Sequence, residues 1–204
     1  MAPVKERRER ERQHLRQEIL DSARKLFIRE GYENVSMRRI AEQIDYSPTT
    51  IYLYFKDKSE LLHCLCEETF ILLQRALAAA GQDPEDPVGN VKRGLRAYID
   101  FGLKHRNHYK VTFILHPEHQ ERSEGFLRAE DLGQTTFDVL RQGVAACVAS
   151  GNFRPLDVEA TSQALWAAAH GVTSLLISHP DFPWVNREIL IEHLLETMTA
   201  SLKA

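Results

Sequence analysis

The feature that most constrains the fold of this 204-residue chain is a tight helical corner near residues 36–55. Before the corner, apolar residues recur at helical spacing: Ile40, Ala41 and Ile44. Ser36 precedes this stripe, where its hydroxyl oxygen can accept a hydrogen bond from the first turn of a helix. Ser47 followed by Pro48 predicts a second helix start, because proline loses no intrahelical bond at the first helical position. We therefore predict two short helices joined by a compact turn.

The second of these helices has two faces of different character. A rotation of about 100° per residue places Ile51 and Phe55 on one side, where they can pack on the first helix. The opposite and flanking positions carry hydroxyl, aromatic and apolar groups: Thr49, Thr50, Tyr52 and Leu53. Such groups suit base edges and thymine methyl groups in a major groove. We therefore predict that this face reads DNA bases.

Hydrogen-bond donors surround the predicted base-reading face. They are Ser36, Arg38, Arg39, Ser47, Tyr54, Lys56 and Lys58. Donors of this kind bind phosphates and fix the register of a protein on the duplex, and we expect phosphate contacts above all from Ser36, Arg38, Tyr54 and Lys58. Two helices alone also leave open a plain helical hairpin with an ordinary polar surface.

The segment SMRRIAEQIDYSPTTIYLYFKDKSELL resembles the DNA-binding head of the TetR family of transcriptional regulators. The matching residues are Ile40, Ala41, Ser47, Ile51, Tyr52, Tyr54, Phe55, Lys58 and Leu61. Upstream, ILDSARKLFIREGYENVSM is similar to the first helix of that family and its Gly-Tyr exit. Two positions differ, because Ser36 replaces the usual threonine and Asp45-Tyr46 replaces the usual Gly-Val. Aspartate tolerates a left-handed backbone, so we expect the turn to survive.

The rest of the chain is predicted to be helical. Gly31 is expected to end the first helix in a left-handed conformation. Apolar periodicity and breaks then predict helices over 58–80, 88–105, 107–115, 118–150, 158–178 and 186–202. The resemblance implies an all-α, nine-helix TetR-like architecture. It places a helix-turn-helix DNA-binding domain at residues 1–62 and a ligand-binding and dimerisation domain at residues 63–204.

Composition limits the partners and the location that we expect. Residues 1–62 carry 13 Lys and Arg against 11 Asp and Glu, whereas the remainder is acidic, so DNA contact should come from a local patch. Cys64, Cys66 and Cys147 lie in apolar helical stretches and indicate free thiols in a reducing cytoplasm. No stretch approaches the roughly 18 apolar residues of a membrane span. We therefore expect a soluble cytoplasmic protein that does not bind membranes.

An alternating run of arginine and glutamate extends from Glu6 to Arg12. Such a run is typical of a solvated helix start. Alternatively, Arg7, Arg8 and Arg10 could reach the minor groove of an A·T-rich flank.

The motif ALWAAAHGVTSLL places Trp166 and His170 one helical turn apart among small residues. Small residues let another helix come close, either inside the subunit or across an interface. The motif resembles the Trp-x-x-x-His-Gly (WHG) signature of one class of TetR C-terminal domains. In that family the last two helices of each subunit form a four-helix dimer interface. The resemblance implies these interface residues: Ala167, Gly171, Leu175, Leu190, Leu194 and Met198.

Aromatic residues of the C-terminal part predict a ligand cavity. The candidates are Tyr98, Phe101, Phe113, Phe126, Phe137, Trp166 and His170. An aromatic pocket with few polar anchors suits a planar or lipophilic ligand, although each of these residues could instead belong to the core.

Histidine pairs offer a second type of site. His105-x-x-His108 and His116-x-x-His119 could bind zinc in a metal-responsive regulator, but Pro117 breaks the local helix, so we predict no metal site. An HExxH motif and a glycine-rich phosphate loop are both missing, which leaves a metal-dependent hydrolase as a remote alternative. We predict a protein that is not an enzyme and needs no cofactor.

A two-turn helix reads only a few base pairs, which is too little to find one site in a genome. Two heads about 34–36 Å apart would double the footprint and require a palindrome. We therefore expect a homodimeric regulator of double-stranded DNA. It is most simply a repressor that an apolar or aromatic small molecule releases from its operator.

Overall fold

A computed structural model of the protein describes residues 4–115 and 124–204. This part of the chain forms α1 (Val4–Glu30), α2 (Met37–Gln43), α3 (Pro48–Tyr52), α4 (Lys58–Ala79), α5 (Pro87–Lys104), α6 (Arg106–Tyr109), α7 (Glu124–Ala149), α8 (Val158–Ser178) and α9 (Arg187–Ala200). A π-helical turn at Lys110–Ile114 continues α6. Within the described residues the only β-type pairing is an isolated bridge between Phe153 and Lys203. The prediction of an all-α fold is confirmed.

Polar caps fix where the later helices begin. Asp86 accepts a hydrogen bond from the amide of Gly89 at 2.8 Å at the start of α5. Asp157 accepts one from the amide of Ala160 at 2.9 Å at the start of α8, as the sequence predicted. Each carboxylate satisfies an amide that has no partner inside its own helix. The predicted start of the seventh helix at residue 118 lies outside the described residues.

The chain divides into two compact units. Unit 1 comprises residues 1–69 and 107–130, and unit 2 comprises residues 70–106 and 131–204. Helix α4 is continuous through residue 62, where the sequence suggested a boundary between domains. The predicted boundary between a DNA-binding and a ligand-binding domain at residues 62 and 63 therefore stays a prediction.

The core of unit 1 gathers apolar residues of α1 to α4 and of the π-helical turn. Its buried members include Ile19, Leu26, Phe27, Ile40, Ile51, Phe55, Leu61, Leu65 and Val111. Arg24 of α1 is also buried, and its guanidinium pairs with Asp21 at 2.7 Å and with Glu68 of α4 at 2.5 Å. Gln17 donates to the same Glu68 carboxylate at 3.3 Å. Breaking such a pair costs stability, because it leaves a buried charge without compensation.

The core of unit 2 forms where α5 packs against α8 and α9. Its buried residues include Val91, Leu95 and Ile99 of α5, Leu165 and Ala169 of α8, and Ile191 and Leu195 of α9. Two ion pairs cross from α5 to α9 at the edge of this core, Lys92 with Glu196 and Arg96 with Glu188. None of the helices in the described part is both long and apolar enough to cross a membrane.

Candidate functional site

The turn between α2 and α3 sets the angle of the helical corner. Asp45 adopts a left-handed backbone with a φ of 57°. The amide of Tyr46 then donates to the carbonyl of Ala41 at 3.0 Å. Short polar side chains such as aspartate are among the few that occupy this region at low cost. The turn predicted around Asp45 is therefore confirmed.

Serine hydroxyls begin both helices of the corner, as predicted. Ser36 Oγ accepts from the amide of Arg39, and Ser47 Oγ accepts from the amide of Thr50, each at 3.1 Å. Ser47 Oγ also lies 2.9 Å from Thr50 Oγ1. A hydroxyl has one proton, so Ser36 can still donate to a phosphate. Ser47 and Thr50 are largely committed to each other.

The inner face of α3 is buried. Ile51 is 0% exposed and Phe55, just beyond the helix, is 1% exposed. Both belong to the same core cluster as Ile40, against which Ile44 also packs. This is the packing that the helical spacing predicted. It holds α3 rigidly against α2, so the opposite face has a fixed orientation.

The outer face of α3 is open to solvent. Tyr52 is 55% exposed and Leu53 is 73% exposed, and Thr49 is also exposed. Among the described residues no hydrogen bond reaches the hydroxyls of Thr49 or Tyr52. Large exposed apolar and aromatic groups beside one another mark a contact surface more often than a solvated one. Tyr46, in the turn before α3, is also 42% exposed.

Lys58 is held in place at the start of α4. Its ammonium nitrogen lies 2.6 Å from the carbonyl oxygen of Tyr32 and 3.5 Å from that of Glu33. It also lies 4.1 Å from the centre of the Tyr32 ring. Burial raises the pKa of the Tyr32 phenol, so the ring stays neutral at physiological pH. An ammonium has three N–H donors. The carbonyls of Tyr32 and Glu33 accept from two of them, which leaves one N–H for a phosphate.

The two arginines of α2 differ in how firmly they are held. Arg39 donates twice to the Glu30 carboxylate, at 3.1 and 3.4 Å. The pKa of Glu30 is lowered by hydrogen bonds from Arg29 and then from Arg39. Arg38 pairs with Glu42 at 3.1 Å, but both side chains are mostly in solvent. Exposed pairs contribute little, so Arg38 is free to exchange its partner for a phosphate.

Lys56 and Tyr54 follow α3. The Lys56 side chain is exposed, and its amide donates to Glu60 Oε2 at 2.6 Å. Tyr54 is half-buried and packs against the core of unit 1. The predicted DNA-binding residues therefore share one region of unit 1. Their free groups are concentrated at Arg38, Thr49, Tyr52, Leu53 and Lys56.

The predicted ligand-binding residues fall into two groups. Phe113 belongs to unit 1, where it packs on Tyr109 with ring centres 4.9 Å apart. Phe126 is also in unit 1 and meets the ring of His63 edge-on at 5.8 Å. Tyr98, Phe101, Phe137, Trp166 and His170 belong to unit 2.

A polar chain joins three of the residues in unit 2. The indole N–H of Trp166 donates to the Tyr98 hydroxyl at 3.3 Å, and that hydroxyl lies 3.4 Å from His170 Nδ1. Phe137 of α7 meets the Trp166 ring edge-on at 6.0 Å. Tyr98 is buried, whereas Trp166 is 40% exposed. The arrangement leaves Trp166 partly open to solvent beside a buried polar anchor.

A separate groove of about 730 Å³ lies along α5 in unit 2. Its lining is mostly apolar and includes Leu72, Ala97 and Phe101, together with the charged residues Lys92 and Arg96. Of the predicted ligand-binding residues, Phe101 alone lines it. Sequence reasoning missed this groove, because its charged residues are also those of a normal solvated face of a helix.

The predicted dimer-interface residues lie at the surface of unit 2. Ala167 is exposed and Leu175 is 46% exposed. A Cβ added at Gly171 would meet no atom within 4 Å among the described residues. Leu190, Leu194 and Met198 of α9 are half-buried. The alternative, that these small residues pack tightly inside the subunit, does not fit Gly171.

The histidine pairs are only partly described. His116 and His119 lie outside the described residues. His105 stacks on Phe101 with ring centres 5.0 Å apart in unit 2, and His108 of unit 1 has its Nε2 atom 3.8 Å from Glu68. Within the described residues no group of three potential metal ligands occurs. The metal-responsive alternative therefore stays a prediction that the structure leaves open.

Comparison with known proteins gives two family matches. Residues 19–65 match bacterial regulatory proteins of the tetR family. Residues 91–202, more than half of the chain, match the tetracyclin repressor-like C-terminal domain. An HTH-type transcriptional regulator of Staphylococcus aureus (strain USA300) is 50% identical over 48 residues, which is 24% of this chain and 26% of that protein. A related regulator of the bovine strain of the same species is 45% identical over 62 residues, or 30% of each chain. The chain thus aligns with less than a third of these relatives' length.

Solved structures of similar fold cover nearly the whole chain. A tetR-family regulatory protein of Rhodococcus RHA1 has a TM-score of 0.77, is 22% identical, and is matched over 93% of this chain and 97% of its own. PfmR of Thermus thermophilus has a TM-score of 0.72 at 22% identity, over 91% and 99% of the two chains. AibR, solved with isovaleryl coenzyme A and operator DNA, has a TM-score of 0.74 at 20% identity, over 92% and 97%. At these identities the likeness shows the fold alone.

Proposed function

Because this chain belongs to the tetR family of transcriptional regulators, we propose that it is a homodimeric repressor of a palindromic operator, released by an apolar or aromatic small molecule. Membership confirms the resemblance found in the sequence and the prediction of a regulator rather than an enzyme. Assignment to the WHG class stays a prediction.

One observation carries the DNA-binding part of the proposal. Helix α3 is fixed by its buried face at Ile51, while Thr49, Tyr52 and Leu53 project into solvent. A rigid helix with hydroxyl and apolar groups on its free side is suited to a major groove. Arg38 and Lys58, at the starts of the neighbouring helices, supply donors for the phosphates on either side.

The surface of α8 and α9 supports the homodimer. Ala167, Gly171 and Leu175 lie along one strip of α8, where Ala167 and Leu175 are exposed and a Cβ added at Gly171 meets no described atom within 4 Å. Small residues allow two helices to approach closely, and the half-buried leucines of α9 supply apolar area beside the strip. A second copy of the chain would cover both helices. It would also bring a second head to the operator.

The Tyr98, Trp166 and His170 chain supports an effector with an aromatic or apolar body. A partly exposed indole offers a stacking surface, and the hydrogen-bonded Tyr98 and His170 supply the few polar groups that orient a ligand. AibR, which has a similar fold, was solved with isovaleryl coenzyme A and operator DNA, so a fold of this kind can hold both a small molecule and DNA.

The experiment that tests the proposal is selection of duplexes from a random library by the full-length protein, followed by an electrophoretic shift with the selected sequence. We expect a palindrome, and a complex of two subunits on each duplex by native mass spectrometry. A variant with Tyr52→Ala and Leu53→Ala should lose the selected sequence but retain its helical circular dichroism. Recovery of no enriched sequence would contradict the proposal. Mass spectrometry of small molecules released from the purified protein then identifies effector candidates.

A further inference from the structure

The first turns of α1 extend beyond the core of unit 1. Residues 5–14 are all exposed, whereas burial begins at Leu15 and is complete at Ile19. These residues nevertheless form a continuous α-helix with the rest of α1. The sequence left open that Arg7, Arg8 and Arg10 form a minor-groove arm. A helix about 10–12 Å across is wider than a minor groove of about 6 Å, so only the arginine side chains could enter such a groove, and the minor-groove alternative stays a prediction.

The charges of this exposed stretch are divided between two faces. On one face Arg7 Nε pairs with Glu11 at 2.9 Å, and Arg10 Nε donates to the carbonyl of Glu6 at 3.4 Å. The other face carries Lys5, Arg8 and Arg12, which lie within about 60° of one another around the helix axis. Among the described residues no hydrogen bond or ion pair reaches these three cations. Two acidic residues flank them, Glu9, bonded to Gln13 at 3.4 Å, and Glu11, paired with Arg7.

The cationic face of α1 continues the side of the helix that packs on the head. About 100° per residue places Arg8 and Arg12 in line with Ile19 and Ala23, which are buried in the core of unit 1. Arg16, one turn after Arg12, has its guanidinium carbon 4.9 Å from the centre of the Phe55 ring. Phe55 lies three residues after Tyr52 of α3. The cations therefore begin beside the DNA-reading corner and run outward from it.

We propose that Lys5, Arg8 and Arg12 form a second DNA contact, a phosphate-binding helix face that grips the backbone flanking the sequence read by α3. This inference rests on the proposed function. At 1.5 Å per residue, Arg12 and Arg8 stand about 6 and 12 Å beyond Arg16 along the helix. A duplex held at α3 continues past the bases that α3 reads. The row of cations meets the next phosphates of that duplex, and their charges are complementary.

The test compares two double variants of the full-length protein. Arg8→Gln with Arg12→Gln removes two cations of the proposed face. Arg7→Gln with Arg10→Gln removes the same charge from the face whose arginines already have partners. Glutamine is a good helix former, and all four positions are exposed, so both variants should keep the helical signal of the wild type.

Binding is measured by fluorescence anisotropy at several salt concentrations on two duplexes. One is trimmed to the sequence selected by the wild-type protein, and the other carries about one further helical turn (roughly 10 base pairs) on each side. We expect the slope of log K against log salt to fall by about 0.9 for each lost phosphate contact in the Arg8 and Arg12 variant, on the longer duplex only. The Arg7 and Arg10 variant should keep the wild-type slope on both duplexes.

The outcomes separate this inference from the proposed function. If the wild-type protein selects and binds a sequence but the Arg8 and Arg12 variant keeps its slope on the longer duplex, the second contact does not exist. An equal loss of slope in both double variants would also overturn it, because the effect would then be one of net charge. Failure of the wild-type protein to select any duplex would instead reject the proposed function, and the inference with it.

Discussion

The ammonium nitrogen of Lys58 lies 2.6 Å from the carbonyl oxygen of Tyr32 and 4.1 Å from the centre of that residue's ring. This contact joins the first residue of α4 to the loop that follows α1. A lysine on a solvent-exposed helix samples many rotamers, and fixing it costs about 2 kcal/mol of entropy. Here the fold itself fixes the side chain, so a phosphate that accepts its remaining N–H meets a donor already in place.

We expect Lys58→Ala to weaken DNA binding on all sequences alike. A lost phosphate contact should lower the slope of log K against log salt by about 0.9 per subunit. The same change removes a hydrogen bond and a cation–π contact inside the head, so the free energy of unfolding should fall by about 1–2 kcal/mol. Anisotropy titrations and urea unfolding measure the two effects. Lys104→Ala, which removes an exposed lysine of unit 2, is the control. An unchanged salt slope would show that Lys58 acts inside the fold alone.

Tyr52→Ala should remove sequence preference rather than overall affinity. Its side chain is 55% exposed and makes no hydrogen bond within the described residues, so the fold should be unaffected. Loss of a base contact typically costs about 1–3 kcal/mol on the selected sequence and little on random DNA. Lys56→Ala is the matched variant, because loss of a phosphate contact should weaken binding equally on both duplexes. If Tyr52→Ala bound the selected and random duplexes with the wild-type ratio, Tyr52 would not read bases.

Gly171→Leu should separate the subunits while each remains folded. A Cβ added at this position meets no atom within 4 Å among the described residues, so the first carbon of a larger side chain finds open space in its own subunit. Across a close helix contact the same bulk overpacks the interface, which typically costs about 1–3 kcal/mol. Analytical ultracentrifugation should show a shift to monomer, together with loss of operator binding. Gly171→Ala is the control and should stay dimeric. A Gly171→Leu protein that sediments as a dimer would remove Gly171 from the interface.

Trp166→Ala should reduce the response to an effector without loss of operator binding. The change removes the partly exposed indole and the N–H that donates to Tyr98 at 3.3 Å. We expect the effector concentration that releases labelled operator to rise tenfold or more, which corresponds to about 1.4 kcal/mol. Trp184→Phe, at the only other tryptophan of the chain, should leave it unchanged.

Calorimetry measures the affinity of the protein for the same effector with and without operator DNA. By thermodynamic linkage, operator DNA must weaken effector binding by the factor by which the effector weakens DNA binding. Equal effector affinities with and without operator would reject that compound as the effector. Unchanged affinity in the Trp166→Ala protein would place the site elsewhere.

Glu68→Gln should destabilise the head in a pH-dependent way. The pKa of Glu68 is lowered from 4.5, first by the neighbouring His108 and then by the charge of Arg24. When the pKa of a carboxylate is lower in the folded state than in the unfolded state, its charge stabilises the fold fully above the unfolded-state pKa. This stabilisation is lost as the pH falls through the folded-state pKa. We expect a deficit of about 1–3 kcal/mol in unfolding free energy at pH 7.

Urea unfolding at pH 7 and at pH values below 4.5 measures this deficit. The difference in unfolding free energy between the wild type and the Glu68→Gln protein should shrink as the pH falls. Glu130→Gln, at an exposed carboxylate of α7, is the control and should match the wild type throughout. A gap that stayed constant with pH would mean that the variant acts through packing rather than charge.

The parts of the fold that depend on local chemistry could be predicted from the sequence. The predicted N-caps of α2, α3 and α8 are the observed ones: Ser36, Ser47 and Asp157. Capping can be predicted because it needs only one side chain and the backbone amides of the next few residues. Gly31 ends α1 with a φ of 82°, for the same local reason. Helix α8 runs over Val158–Ser178, within the predicted bounds.

The parts that depend on distant contacts could not be predicted in the same way. Nothing in the sequence near Lys58 indicates that its ammonium binds the Tyr32 carbonyl, since the two residues are far apart in the chain. The neighbours of the aromatic residues in the predicted cavity could not be predicted either. Helical spacing identifies the apolar face of a helix but not the helix that packs against it. Phe113 and Phe126 therefore sit with unit 1, whereas Phe137 and Trp166 sit with unit 2.

Helix α3 keeps the residues that build it apart from the residues that face outward. Ser47, Pro48 and Ile51 start and anchor α3, and Thr50 bonds to Ser47. Thr49, Tyr52 and Leu53 take no part in that framework. Mutations at these three positions can therefore accumulate without unfolding the head. Under the proposed base-reading role of these three residues, a duplicated copy of this protein acquires a new target sequence in a few substitutions, which makes the corner an evolvable module as well as a stable one.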